Sequence, residues 1–218
     1  MAGMVRRKSG NAGPVRRRAS ELTPQALKSA QTQNQLIEAT IRCILKFGYA
    51  NTTTARVAAE AGLSRGAMLH HFENGAALIR VAVEYLHEKR LRAFRRAVTA
   101  VPDRDDVRGL LLGYWRQISH PTFLVFHELA VATRTDPALS KILIPAQQEF
   151  NRQWYLQAID LFPDWQGDRE GFDLALALTR NSLEGMAINH LIYGLDAGLV
   201  DRLLDHLEQQ IRALRRSR

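Results

Sequence analysis

The segment GLSRGAMLHHF at residues 62–72 has the clearest potential for chemistry in this sequence. A helix beginning at Ser64 would carry small or hydrogen-bonding residues on its first turn, namely Arg65, Gly66 and Ala67. A glycine inside a helix costs about 1 kcal/mol relative to alanine, so Gly66 needs a reason to be there. Small residues beside an arginine let a backbone approach the base edges of a major groove, where the arginine reaches guanine or phosphate. The pattern therefore predicts that a nucleic acid approaches this turn.

The elements that must position this turn have the layout of a helix-turn-helix. Two short helical segments are joined at residues 61–63, where Gly62 is expected to supply a positive φ. Thr52 or Thr53 can cap the first helix, and Ser64 can cap the second. A miniature core is expected to hold the pair together, formed by Val57, Ala58, Leu63, Met68, Leu69 and Phe72.

The stretch GYANTTTARVAAEAGLSRGAMLHHFENGAAL, residues 48–78, resembles the DNA-binding domain of the tetracycline-repressor (TetR) family of bacterial transcription regulators. The similarity covers roughly residues 33–80, with a Gly, a Thr pair, an Ala-Gly turn and a terminal His-Phe in register. The resemblance implies an all-α fold with an N-terminal three-helix helix-turn-helix domain. It also implies a C-terminal helical bundle for dimerisation and ligand sensing.

Carried onto this chain, the resemblance implies that the helix at about residues 64–71 reads bases while its neighbours hold phosphates. The implied DNA contacts are Thr52, Thr53, Arg56, Ser64, Arg65, Gly66, Ala67, His70 and His71. His70 stands where the family usually has tyrosine, and Gly75 where it usually has a lysine that contacts phosphate. His71 is equally compatible with a structural capping role instead of a DNA contact. Arg56 is equally compatible with a solvated side chain that contacts no DNA.

The net charge of +8 is concentrated in the N-terminal part of the chain. Residues 1–30 contain seven Lys and Arg against one acidic residue, and residues 31–97 contain ten against five. Residues 98–218 contain thirteen against sixteen. This asymmetry favours nucleic acid as the partner, ahead of an anionic membrane. Residues 1–30 are predicted to be a disordered basic arm, which either contacts phosphate or is only a tail.

From Gln33 onward, apolar spacing predicts helices throughout, and no alternating β-branched run predicts a strand. Asn74 is expected to cap a long helix, which should end before Pro102. The later helices are expected at about 105–118, 122–134, 137–162 (kinked at Pro145), 170–194 and 199–216. The predicted organisation is an arm at 1–30, a helix-turn-helix domain at 31–80, and a ligand-binding and dimerisation domain at 81–218.

The C-terminal domain is expected to bind a small, mostly apolar effector and to pair with a second copy. The candidate pocket residues, of which the aromatic ones are more typical of plain core than of a cavity wall, are Trp115, His120, Phe123, Phe126, His127, Trp154, Asn181 and Glu184. The candidate interface residues are Phe172, Leu176, Leu183, Met186, Leu207 and Ile211. His120 and His127, with Glu128 nearby, could suggest a metal, but no third ligand has a characteristic spacing. No metal or cofactor is therefore expected.

These observations predict a cytoplasmic, homodimeric repressor that an effector releases from a palindromic operator in double-stranded DNA. Activation, or repression without small-molecule control, stays open for the same fold. An alternative of a different class is a helical binding or enzymatic module with an accidental helix-turn-helix. No sequence motif of a hydrolase, metalloprotease or nucleotide-binding enzyme is found, and Cys43 has no partner for a disulfide. No apolar run approaches the ~20 residues of a membrane span, and no secretory signal is apparent.

Overall fold

The computed structural model describes residues 23–216 of the chain, which form nine α-helices, two short 3-10 helices and no strand. The α-helices are α1 Pro24–Phe47, α2 Thr54–Glu60, α3 Arg65–His71, α4 Gly75–Thr99, α5 Val107–Ile118, α6 Thr122–Ala132, α7 Pro137–Leu161, α8 Arg169–Tyr193 and α9 Ala197–Arg216. The 3-10 helices are Tyr49–Asn51 and Pro163–Trp165. The predicted all-α class is confirmed. None of these helices is both long and apolar enough to cross a lipid bilayer.

α1 begins about nine residues earlier than the apolar pattern predicts. The Thr23 hydroxyl oxygen accepts a hydrogen bond from the Ala26 backbone N–H at 3.2 Å, and Pro24 occupies the first helical position. Both are favourable helix-start features, because proline needs no N–H partner there. Residues 24–30, predicted as part of a disordered arm, are therefore helical. The remainder of the predicted arm, residues 1–22, lies outside the described residues.

The predicted caps of the next three helices are confirmed. The side-chain oxygens of Thr53, Ser64 and Asn74 accept backbone N–H bonds three residues later, at 3.3, 3.1 and 2.8 Å. Gly62 has φ 66°, as expected for the turn between α2 and α3. These local interactions fix where α3 begins and how its first turn is oriented.

Two clusters of buried apolar side chains organise the fold, and α4 contributes to both. Its first half packs Leu78 and Val83 against α1–α3 and α6, while its second half packs Phe94 and Val98 against α5, α7, α8 and α9. The proposed domain boundary at residue 80 therefore falls inside a continuous helix. A rigid helix shared by two cores can carry a displacement from one to the other.

The predicted miniature core forms, with one exception. Val57, Ala58, Met68 and Phe72 are buried, and Leu63 packs against them. Leu69 was expected to join them but is 42% exposed. α3 has only two turns, so the face that buries Met68 and Phe72 leaves the adjacent position outside.

Candidate functional site

The first turn of α3 is presented to solvent above a buried anchor. Arg65 and Gly66 are exposed and Ala67 is half-buried, while Met68 directly after them is completely buried. The Arg65 guanidinium makes no hydrogen bond or ion pair within residues 23–216. The helix is thus held from below, and its leading arginine is free to reach a base or a phosphate.

Neither the packing nor the backbone conformation of the described residues requires a glycine at position 66. A Cβ built at this position would meet only the Ser64 hydroxyl oxygen, at 3.9 Å. Its φ also lies outside the positive range, which only Gly48, Gly62 and Gly194 adopt among the described residues. The space that a side chain would fill at this position is open to an approaching groove.

Arg56 in α2 and Thr52 just before that helix are both engaged in contacts within the protein. Arg56 donates from Nη1 to the Asn51 carbonyl oxygen at 2.7 Å, and its guanidinium lies 5.1 Å from the centre of the Phe47 ring. The Thr52 hydroxyl donates to the Gly48 carbonyl oxygen at 2.8 Å. Thr53 stays exposed at the start of α2, where the first backbone N–H groups point outward. Arg56 and Thr52 thereby stabilise the turn that presents Thr53.

The two adjacent histidines face different surroundings. His70 is exposed beside the open face of α3. His71 is half-buried and lines a groove between α3, α1 and α4, together with Gln33 and Ile37. The two rings pack edge to face with centroids 5.5 Å apart. His70 is therefore placed for an external contact, whereas the surroundings of His71 favour its structural reading.

A set of polar contacts that the sequence analysis did not identify holds the helix-turn-helix on α1. Glu60 at the end of α2 pairs with Arg42 at 2.8 Å and with Lys46 at 2.7 Å. The bonds from Lys46 and Arg42 lower the pKa of the Glu60 carboxyl. Gln35 donates to the Ala61 carbonyl oxygen in the turn at 2.6 Å. Charges and amides of α1 thus set the position of both short helices.

Two contacts connect the helix-turn-helix domain to α6 and α7 through Tyr49, and we call this set the Tyr49 clamp. The Glu128 carboxylate accepts the Tyr49 backbone N–H, and the Tyr49 hydroxyl donates to Asp136 at 2.8 Å. Partial burial and the bond to Asp136 raise the pKa of Tyr49 to about 12. Gly48 allows the close approach, since a Cβ there would lie 3.0 Å from Glu128 Oε1. Tyr49 directly precedes the turn that presents Thr53.

His120 and His127, which the sequence offered as possible metal ligands, make other contacts in the structure. His120 Nδ1 lies 2.8 Å from the Thr122 hydroxyl, and the His127 ring packs against Phe123 with centroids 4.4 Å apart. Glu128 belongs to the Tyr49 clamp. Across residues 23–216, no group of three or more His, Cys, Asp or Glu side chains is arranged to hold a metal ion.

Four of the proposed pocket residues line two separate cavities. His120, Phe123 and Phe126 line an open cleft of about 280 Å³ between α4, the end of α5 and the start of α6. Trp154 lines an apolar cavity of about 100 Å³ between α4, α5, α7, α8 and α9. Trp115 instead packs against His190, and Asn181 is exposed, so neither lines these cavities.

Glu184, also proposed for the pocket, is the centre of a buried polar network. Its Oε1 accepts from Arg90 Nη2 and from the Tyr114 hydroxyl at 3.2 Å each, and from Arg180 Nε at 3.3 Å. Burial and the neighbouring carboxylate raise the pKa of Tyr114. Burial lowers the pKa of His127 nearby. The network leaves His127 and Tyr114 uncharged around one carboxylate that is shared by two guanidinium groups.

Four of the six interface residues proposed from the sequence are buried within the chain. Phe172, Leu183, Leu207 and Ile211 are 4%, 0%, 4% and 8% exposed, so they belong to the chain's own core. Leu176 and Met186 are half-buried against that same core, so their part in an interface stays a prediction. The four buried side chains expose too little surface to cover a second copy. The exposed large apolar residues on α8, α9 and their connection are Leu174, Ile192, Tyr193, Leu199 and Leu203.

Comparison with known proteins agrees with this geometry. The family pattern described as bacterial regulatory proteins, tetR family, matches residues 36–82. An uncharacterised HTH-type transcriptional regulator of Mycobacterium tuberculosis is 30% identical over 171 residues, covering 75% of this chain and 85% of the relative. The HTH-type transcriptional regulator CymR of Pseudomonas putida is 29% identical over 175 residues, covering 77% and 83%. A solved TetR-family structure from Mesorhizobium loti aligns with TM-score 0.66 and 16% identity over 86% of this chain and 96% of that one, which supports the fold.

Proposed function

This chain belongs to the TetR family of bacterial transcriptional regulators and is a DNA-binding protein, and we propose that it acts as a homodimeric, effector-controlled repressor. The observation that carries the DNA-binding geometry is Gly66, which is exposed, unstrained and without neighbours on the first turn of α3. In the proposed complex α3 enters the major groove with Arg65 and Ala67 toward base edges. Thr53 and His70 contact phosphates on either side.

The proposed dimer forms through α8 and α9, by faces other than those predicted. Along α8, Leu174, Leu178, Ile188 and Ile192 fall on one stripe, with Asn181 and Gly185 between them. Along α9, Leu199 and Leu203 begin a second stripe. Two such helices from each copy give a self-complementary contact with two-fold symmetry. That symmetry matches a palindromic operator with half-sites about one helical turn apart.

The Tyr49 clamp is the proposed route from effector to DNA. α6 lines the 280 Å³ cleft with Phe123 and Phe126 and holds the Tyr49 backbone through Glu128. A shift of α6 therefore moves the turn that presents Thr53 and changes the spacing of the two recognition helices. An effector acts in this way only if it binds one arrangement more tightly than the other.

A reporter experiment distinguishes repression from activation. A promoter fragment that the protein binds would drive the reporter in cells with the wild-type chain or with Gly66→Leu, which is expected not to bind. Gly167→Ala, in a loop where a Cβ meets nothing within 4 Å, is the matched control. Higher expression with Gly66→Leu than with the other two supports repression. Lower expression would show an activator and contradict the proposal.

A further inference from the structure

The cleft between α4, α5 and α6 combines cationic side chains with apolar walls. Its cations are Lys89, Arg90 and Arg116, and no Asp or Glu of the described residues lines it. Its apolar walls are Leu86, Ala93, Ile118, Phe123 and Phe126. A concave site with one sign of charge and low-dielectric walls concentrates ligands of the opposite charge. The lining therefore favours a ligand with an anionic group on an apolar body.

Arg90 occupies the inner end of this cleft with part of its hydrogen-bonding capacity unused. Its side chain is 13% exposed, and its guanidinium lies 4.6 Å from the centre of the Phe126 ring and 4.4 Å from that of Phe150. Nη2 is bonded to Glu184, but Nη1 is buried and makes no hydrogen bond with any described residue. An unpaired buried donor on a cation is unfavourable, so its persistence at a cavity suggests a missing partner.

Gln117, beside Arg90, also has a buried polar atom without a hydrogen-bond partner among the described residues. Its side-chain amide nitrogen donates to the Arg90 carbonyl oxygen at 3.0 Å, which fixes the amide. Its Oε1 is buried and has no hydrogen-bond partner within residues 23–216. Arg90 and Gln117 both line the cleft, but neither atom is accessible from it, so a ligand would have to turn the charged donor Nη1 and the neutral acceptor Oε1 toward the cleft to use them. A carboxylate satisfies the donor, and a hydroxyl or amide on the same ligand satisfies the acceptor.

We infer that the effector of this regulator is a small organic carboxylate, with its acid group on Arg90 and its apolar body against Phe123 and Phe126. The inference rests on the proposed ligand control and names the chemical class of the effector. A cavity of about 150 Å³ holds benzene, so the cleft of about 280 Å³ accommodates one ring with an acid and a short substituent. The apolar cavity of about 100 Å³ is too small for such a molecule.

The experiment compares acids with neutral molecules of the same shape, using calorimetric titration of the full chain. The probes are benzoate and phenylacetate, each paired with its amide, together with hexanoate and hexanamide. At least one acid is expected to bind about tenfold or more tightly than its amide, because charge-assisted bonds to Arg90 are lost in the amide. Absence of this preference in all three pairs overturns the inference.

Arg90→Met tests the position of the acid group. Methionine keeps an unbranched apolar stem between the rings of Phe126 and Phe150. Glu184 keeps Tyr114 and Arg180 as hydrogen-bond partners. The variant should lose the preference for acids, whereas Arg96→Met, on an exposed position of the same helix outside the cleft, should retain it. A preference that survives Arg90→Met places the anion elsewhere and overturns the inference.

A second variant covers the case in which Arg90→Met does not fold, as judged by its melting curve. Lys89→Gln with Arg116→Gln changes only exposed cleft residues and should weaken acid binding several-fold while leaving amide binding the same. Equal binding of the acids to this double variant and to wild type overturns the inference.

Operator release is measured separately with the best acid. Binding that depends on Arg90 without release would support the ligand class and contradict the proposed induction. Release by the amides alone would support induction and overturn the ligand class.

Discussion

Replacing Gly66 by alanine should make the protein more stable and its DNA binding weaker. The methyl group would meet nothing in the protein nearer than the Ser64 hydroxyl oxygen at 3.9 Å, and the backbone φ is ordinary. Glycine to alanine at a compatible position stabilises by about 0.4–1 kcal/mol, chiefly because the unfolded chain loses freedom. For a chain of this size, that gain raises the melting temperature by about 1–4 °C.

The same methyl group would stand between the first turn of α3 and the base edges. Loss of one well-made base contact costs about 1–3 kcal/mol, so operator affinity should fall about ten- to hundredfold. Gly66→Leu should abolish specific binding, because the side chain fills the space that the groove needs. Gly167→Ala should gain stability in the same way and leave DNA affinity unchanged.

The assay pairs thermal melting with fluorescence anisotropy on a labelled operator duplex at fixed salt. Opposite signs for stability and affinity in Gly66→Ala would show that the glycine is kept for DNA and not for the fold. Wild-type affinity in both Gly66→Ala and Gly66→Leu would refute the docking geometry. A destabilised Gly66→Ala would show that the position has a structural requirement that the geometry does not reveal.

Three further predictions follow from the other contacts. Leu199→Glu with Leu203→Glu places charges on the exposed stripe of α9 and should give monomers in sedimentation, with weak operator binding. A dimer that stays intact would show that the interface lies on other residues. Deleting residues 1–22, which spares the Thr23 cap, should flatten the slope of log affinity against log salt by about two to four, since each neutralised phosphate contributes about 0.9; an unchanged slope would mean that the arm is only a tail. Because the pKa of Tyr49 is raised to about 12, unfolded tyrosine loses its proton first and stability falls between about pH 10 and 12. Tyr49→Phe should reduce this fall and lower stability by about 1 kcal/mol at pH 7; an identical pH profile would contradict the Tyr49 clamp.

The helix-turn-helix could be predicted because its signals are local. Caps at Thr53, Ser64 and Asn74 and the positive φ of Gly62 each depend on a few neighbouring residues, and all four are found as expected. The start of α1 was missed because its first turns are mostly exposed and have no apolar face. The Thr23-Pro24 pair was the available signal, since it combines an N-cap with a favoured first position.

The dimer face could not be read from apolar spacing alone. α8 and α9 carry apolar residues on two sides, and the pattern does not say which side packs on the chain's own core. The apolar pattern predicts that Phe172 and Ile211 face outward, but in the structure they line the apolar cavity between the helices of the bundle. The choice between the two faces depends on where α5 and α7 lie, which is a property of the whole bundle.

The proposed effector site could be predicted only in part from the sequence. The sequence predicts a mostly apolar effector and the aromatic residues Phe123 and Phe126, whereas the acid group of the ligand is inferred only from the position of Arg90 in the fold. A lone arginine at a core position of a long helix was the signal, since buried charges are rare without a partner or a role. Its pairing with Glu184, 94 positions later, depends on the tertiary fold.

The central claim is that this chain binds duplex DNA as a symmetric dimer through α3. Its most direct measurement is selection of bound duplexes by the purified full-length protein from fragmented genomic DNA, followed by footprinting of the enriched fragment. The account predicts one palindromic sequence with half-sites about one helical turn apart, protected by wild type and not by Gly66→Leu. Enrichment without a palindrome, or equal protection by Gly66→Leu, would contradict it.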